Sequence, residues 1–178
     1  MKASTLKFIL LFAAQLILWN YCNFSQYLII VFLPAMLLCL PIDRGVIRVM
    51  ILAFLLGLAA DFFETGQLGL TSLALVPVAA IRRWVIQLVF GNELLSAGNE
   101  LLARGEDLSF RRQGLAKFVT SILILTSVFL LIYLWVDSAG MYPLGFLALK
   151  YGISLLVSTV VSLAIAFLLL EESVAKWN

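Results

Sequence analysis

A chain of 178 residues that is 63% hydrophobic, only 12% charged and has a mean hydropathy of +1.10 is not a soluble domain, in which about a quarter of the residues carry charge. Its formal net charge of +2 is too small to argue for nucleic acid, and the basic residues fall in short clusters between apolar runs, where they report topology. No Pro-, Gly- or Ser-rich linker divides it, so a single all-α integral membrane domain over residues 1–178 is expected.

Apolar runs bounded by charge, set against the roughly 17 to 25 residues that a spanning helix needs, predict six transmembrane helices. They cover about residues 6–23, 27–42, 46–63, 68–81, 115–136 and 144–170. The second and fourth are short, and local thinning or snorkelling of flanking residues is the expected accommodation. The first begins with Lys2 and Lys7, but Asn20 to Phe24 lack the small residues of a signal-peptide cleavage site, so an uncleaved helix is expected.

Short loops rich in Lys and Arg stay in the cytoplasm. With the N-terminus inside, Lys2, Lys7, Arg44, Arg48, Arg82, Arg83, Arg104, Arg111, Arg112, Lys117 and Lys176 are all inside, and of the 12 basic residues only Lys150 is outside. Both termini are therefore expected to be cytoplasmic. Residues 21–26, 61–67 and 137–143 become short external loops without a basic residue.

The third span ends at the most informative stretch, Gly57 to Leu70, where Asp61 and Glu64 and the glycines 57, 66 and 69 stand among apolar residues. A carboxylate near hydrocarbon needs water or a partner. Asp61 and Glu64, three apart, share a face if the helix continues, and could hold a cation or share a proton. The other reading leaves the acid solvated or pairs it with backbone donors at the start of a neighbouring helix. Ala53, Gly57 and Asp61 recur every four residues, which puts the acid at the outer end of a close-packed seam. Gly66 and Gly69 offer a tight turn and a close backbone contact at the start of the fourth helix.

Residues 84–112 form a cytoplasmic linker. Within it Gly91-Asn92-Glu93-Leu94-Leu95 is followed by Gly98-Asn99-Glu100-Leu101-Leu102 and then by a degenerate third copy with Leu108, at a period of seven. Leu94, Leu95, Leu101, Leu102 and Leu108 then share one helical face, suited to the membrane surface or to a partner helix. Trp84 to Phe90 reads as an interfacial extension of the fourth helix. In the last span Ser154, Ser158, Ser162 and Ala166 make a small-residue stripe that lets another helix approach closely.

With no histidine anywhere, the commonest general base and transition-metal ligand is missing, and two cysteines make no thiolate cluster. No nucleophile elbow, phosphate loop or dinucleotide fingerprint is present. No catalytic, cofactor or metal site is expected.

The length, the six spans and the pattern Gly57-Leu-x-x-Asp61, then Gly66-x-x-Gly69-Leu70, then Ala74 in the next helix resemble the rod shape-determining MreD family. The resemblance covers the whole chain in hydropathy but only some twenty residues in motif, and the heptad linker lies outside it. It implies a non-enzymatic component of the bacterial inner membrane that works in cell elongation with MreC, and through it with MreB filaments and the peptidoglycan glycosyltransferase and transpeptidase. The family is similar in fold to the vitamin-binding S components of energy-coupling-factor transporters. That supplies a rival reading, a small-molecule site at an external mouth around Trp19, Asp61 and Glu64.

Overall fold

Apolar stretches without internal glycine or proline form the first helix, α1, over Ala3–Tyr21, where Gln15 is the one polar residue between Phe8 and Trp19. The computed structural model describes residues 3–21, 28–40, 45–63, 68–90, 115–138 and 141–170. After α1 come α2 (Leu33–Leu38), α3 (Val46–Phe63), α4 (Leu70–Phe90), α5 (Leu115–Ser138) and α6 (Leu144–Leu170), with no strand among the described residues. Four stretches, Val46–Phe63, Leu70–Val89, Ala116–Ser138 and Leu144–Ala166, are long and apolar enough to cross a membrane. The expected starts of α3, α5 and α6 coincide with those observed.

The second expected span is corrected. Of the described residues in this span, 28–40, only Leu33–Leu38 is helical, and residues 28–32 are not. Pro34 explains the break. It sits in the first turn of α2, where its missing N–H costs nothing. In a helix running through 27–42 it would instead stand in the interior and leave the carbonyl of Ile30 without its donor. That carbonyl accepts two side-chain bonds from α1, from Gln15 Nε2 at 3.0 Å and Trp19 Nε1 at 2.9 Å. The run Ile29-Ile30-Val31-Phe32, β-branched and aromatic, suits an extended chain.

Both flanks of this segment are satisfied by side chains. On one side Phe32 N–H donates to Gln15 Oε1 at 2.9 Å. On the other Ile29 N–H donates to Ser154 Oγ at 2.9 Å and Val31 N–H to Ser158 Oγ at 3.0 Å, while Ser158 Oγ donates back to the Ile29 carbonyl at 3.1 Å. Odd residues face α6 and even residues face α1, the alternation of an extended backbone. Such a backbone rises about 3.3 Å per residue against about 1.5 Å in a helix. Residues 28–40 therefore cover roughly 28 Å, close to a hydrocarbon thickness, without a full helix.

α2, with all six residues buried, lies at the centre against α4, α5 and α6; a helix apolar all round belongs inside. Val31 to Leu38 join Ala53, Leu75, Val78, Ile122, Leu125 and Phe129 in one core. The outer surface is apolar as well, with Ile51, Phe54, Leu58, Leu73, Leu131, Leu156 and Val160 exposed, while Gln15, Thr71, Ser72, Thr126, Ser154, Ser158 and Ser162 are buried. Polar groups inside and apolar ones outside are the pattern of helices whose solvent is lipid.

Contacts order the passes. Trp19 meets Tyr133 near the end of α5, with ring centroids 6.4 Å apart, and Lys150 of α6 pairs with Asp137 at 3.5 Å. At the other end Arg82 of α4 reaches the end of α2. The chain thus runs back and forth through the bundle six times, the second pass being mostly not helix.

The fourth helix passes beyond the expected span end at residue 81, through Arg82 and Arg83 to Phe90, so residues 84–90, read as an extension of this helix and counted in the linker, are continuous with α4. The double arginine does not end it because Arg82 turns inward, where it is buried, and Arg83 outward, where it is exposed. Of the linker, the heptad leucines 94, 95, 101, 102 and 108 lie outside the described residues, as do Glu64 and Gly66.

Candidate helix-organising site

The Gly57 to Leu70 stretch closes α3 onto α4. Val49, Ala53, Gly57, Ala60 and Asp61 form the buried stripe of α3, while Ile47, Ile51, Leu55, Leu58 and Phe62 face outward. Gly57 is where the two backbones come closest. A Cβ built on it would stand 2.5 Å from Ser72 Cα and 2.6 Å from Ser72 N, so only glycine fits without moving α4. Ser72 Oγ donates to the Phe54 carbonyl of α3 at 3.2 Å, tying the same crossing from the other side.

Four residues after Gly57, the next turns of both helices meet at Asp61, which is 3% exposed. Its Oδ2 accepts from Gly69 N–H at 2.9 Å and, at 3.4 Å, from Ser72 N–H; its Oδ1 accepts from Thr71 N–H at 3.0 Å. Gly69 is the residue before α4, and its carbonyl accepts the first helical bond, from Leu73 N–H at 2.8 Å. A serine or aspartate in that position would normally cap the amides of the second and third helical residues. Gly69 has no side chain to do so and adopts φ +96°, a conformation that side chains disfavour. Asp61 therefore caps α4 from eight residues upstream, placing a carboxylate at the positive end of the helix dipole. Backbone pairing, one reading of this acid, is present at Asp61, while the reading that couples it to Glu64 falls on a residue outside the described ones.

Leu70 and Ala74 follow on the buried face of α4. Ser154, Ser158 and Ser162 are all fully buried, but the stripe receives residues 29–31 in place of the helix expected there; Ser162 Oγ has no hydrogen-bond partner among the described residues. Close approach still explains the small side chains, since an extended backbone must come within bonding distance of α6.

Two polar groups matter that sequence reading does not single out. Gln15 was visible only as a lone amide in an apolar helix, and it donates and accepts at once, as a neighbouring strand would. Arg82, read from sequence as a topological charge, sends Nη2 to the carbonyls of Leu38, at 3.3 Å, and of Leu40. It thereby caps the C-terminal end of α2, where helix carbonyls lack donors and a cation is favoured. Trp19, assigned by the rival reading to an external mouth, spends its indole N–H on Ile30. Compared with protein-family models, curated proteins and solved structures, the chain finds no match in any of the three.

Proposed function

We propose that the chain is a non-enzymatic, multi-pass component of the bacterial cytoplasmic membrane that organises cell elongation in the manner of the MreD family. It docks MreC and through it the MreB filaments and the peptidoglycan glycosyltransferase and transpeptidase. The observation that carries this reading is the single unit made by Gly57, Asp61, Gly69, Leu70 and Ala74, the residues of the resemblance. Their roles are a backbone crossing, a cap made in trans, a left-handed turn and buried packing. A motif of this sort shapes a surface and performs no chemistry, as suits a scaffold.

In the proposed orientation both termini are cytoplasmic. Lys7, Arg48 and Lys117 lie near the starts of their helices and Arg82 and Arg83 in the last third of α4, all toward one side of the bundle, with Asp61, Asp137 and Lys150 toward the other, which supports it through the positive-inside rule. Against the rival vitamin-binding reading, two of its three candidates, Trp19 and Asp61, are engaged with backbone groups, and a small-molecule site needs several converging polar groups; Glu64 lies outside the described residues.

The test is depletion in the native bacterium combined with Asp61→Asn and Gly69→Leu variants whose membrane levels are checked. Rounded cells, and reduced co-purification of MreC with both variants, are expected. Normal shape with a vitamin-uptake defect, or unchanged MreC association in both variants, overturns the proposal.

A further inference from the structure

We propose that Arg83 binds the phosphodiester of an anionic phospholipid, at a site on the outer face of α4. The reason begins with depth. Arg83 does not stand at the end of its helix but inside the apolar stretch Leu70–Val89, six residues before that stretch ends, or roughly 9 Å by helical rise. Its neighbour Arg82 is buried and occupied with the carbonyls of Leu38 and Leu40, whereas Arg83 is exposed. An exposed guanidinium with apolar helix on both sides of it meets lipid at the level of Trp84, where a charge calls for a counter-charge.

No acid supplies one within the described residues of this end. Asp61 lies at the Gly69 turn, at the opposite end of α4, and Asp137 pairs with Lys150 where α5 passes into α6. The other exposed charges among the described residues of this end, Arg48 in the first turn of α3 and Lys117 in the first turn of α5, are cations. A headgroup whose phosphate carries a net negative charge neutralises this excess, while a zwitterionic one adds a further ammonium to it. Phosphate is also the anion whose geometry a guanidinium matches with paired hydrogen bonds.

The surface beside Arg83 is shaped for the rest of such a lipid. Trp84 and Leu88, 74% and 80% exposed, lie one turn apart on the outer face, with Leu73 on the same face three turns below Trp84. From Leu73 to Arg83 is ten residues, roughly 15 Å, which is the depth of one leaflet of a hydrocarbon core about 30 Å thick. An acyl chain lies along this face, and the indole takes the interfacial level that tryptophan favours.

The proposal rests on membrane embedding but not on the partners proposed above, and its assay contains no other protein. The purified full chain is placed in vesicles of phosphatidylcholine containing brominated acyl chains carried either by phosphatidylglycerol or by phosphatidylcholine. The Trp84 contribution is taken as the difference between the wild type and Trp84→Phe. Trp84 is expected to select the brominated anionic lipid about fivefold, the attraction of one basic residue for an anionic surface. That selection falls to none in Arg83→Gln and is retained in Arg83→Lys, both checked for helicity by circular dichroism. Equal quenching by the two lipids in the wild type, or selection unchanged in Arg83→Gln, overturns the proposal. So does selection abolished by inorganic phosphate but not by chloride at the same ionic strength, which would assign the site to the free anion.

Discussion

Gly57→Ala adds one methyl group at the tightest point of the α3–α4 crossing. The new Cβ would stand 2.5 Å from Ser72 Cα where ordinary contact begins at 3.4 Å, so the two backbones must part by about 1 Å. The bonds from Gly69, Thr71 and Ser72 to Asp61, now 2.9, 3.0 and 3.4 Å, then stretch to the edge of or beyond the range of useful N–H···O geometry. Overpacking of this kind costs about 1–3 kcal/mol, and weakening the cap adds about 1 kcal/mol. Against this, alanine is the better helix former by about 1 kcal/mol. The net expectation is a loss of roughly 1–3 kcal/mol, measured by reversible denaturation in detergent micelles followed by circular dichroism. Gly152→Ala is the matched control, because a Cβ at Gly152 has nothing within 4 Å and keeps only the helix-forming gain. If Gly57→Ala proves as stable as wild type, or if both variants shift alike, the close crossing is not what requires glycine at position 57.

Asp61→Asn keeps one acceptor but turns an amide N–H toward the amides of Gly69 and Ser72, with an expected loss of about 1–2 kcal/mol and faster hydrogen exchange at Thr71 to Leu73. Gln15→Leu removes the donor and the acceptor that hold Ile30 and Phe32; a loss of about 2–3 kcal/mol and increased exchange confined to residues 29–32 are expected, whereas uniform exchange would argue against a locally held segment. Ser158→Ala takes one acceptor from Val31 and one donor from Ile29, and because the α1 side stays bonded its effect should be smaller, about 1 kcal/mol. Arg82→Met leaves the Leu38 and Leu40 carbonyls buried without that donor and is expected to cost about 2–3 kcal/mol, with Arg82→Lys recovering part of it.

The helix-forming stretches were legible because their signal is local. Val46–Phe63 and Leu144–Leu170 are long, predominantly apolar runs with charge or proline at their borders, and the composition is far too apolar for an ordinary soluble domain. The close-packed seam was legible as well, since Ala53, Gly57 and Asp61 share one helical face by spacing. Pro34 was a visible warning against a second helix; its weight was lost beneath the hydropathy of residues 27–42, which is the same for an extended chain as for a helix. The fourth span is set short at residue 81 for the opposite reason, although the apolar residues 84–90 already read as an extension of its helix. A pair of arginines reads as a boundary when their side-chain directions are unknown, yet a helix can continue if one turns inward to backbone carbonyls.

Composition and periodicity by themselves determined the all-helical class and the apolar exterior. They also determined that Asp61 would need a partner, because each of these follows from neighbouring residues and the cost of exposing polar groups to hydrocarbon. The tertiary structure alone decided who the partners are. Ile29 meets Ser154 across 125 residues and Arg82 meets Leu38 across 44, separations over which no pattern in the chain specifies a pairing. An extended segment inside a helical bundle is stable only when other elements supply its hydrogen bonds. Whether residues 28–32 unwind was therefore settled by α1 and α6 and not by residues 28–32.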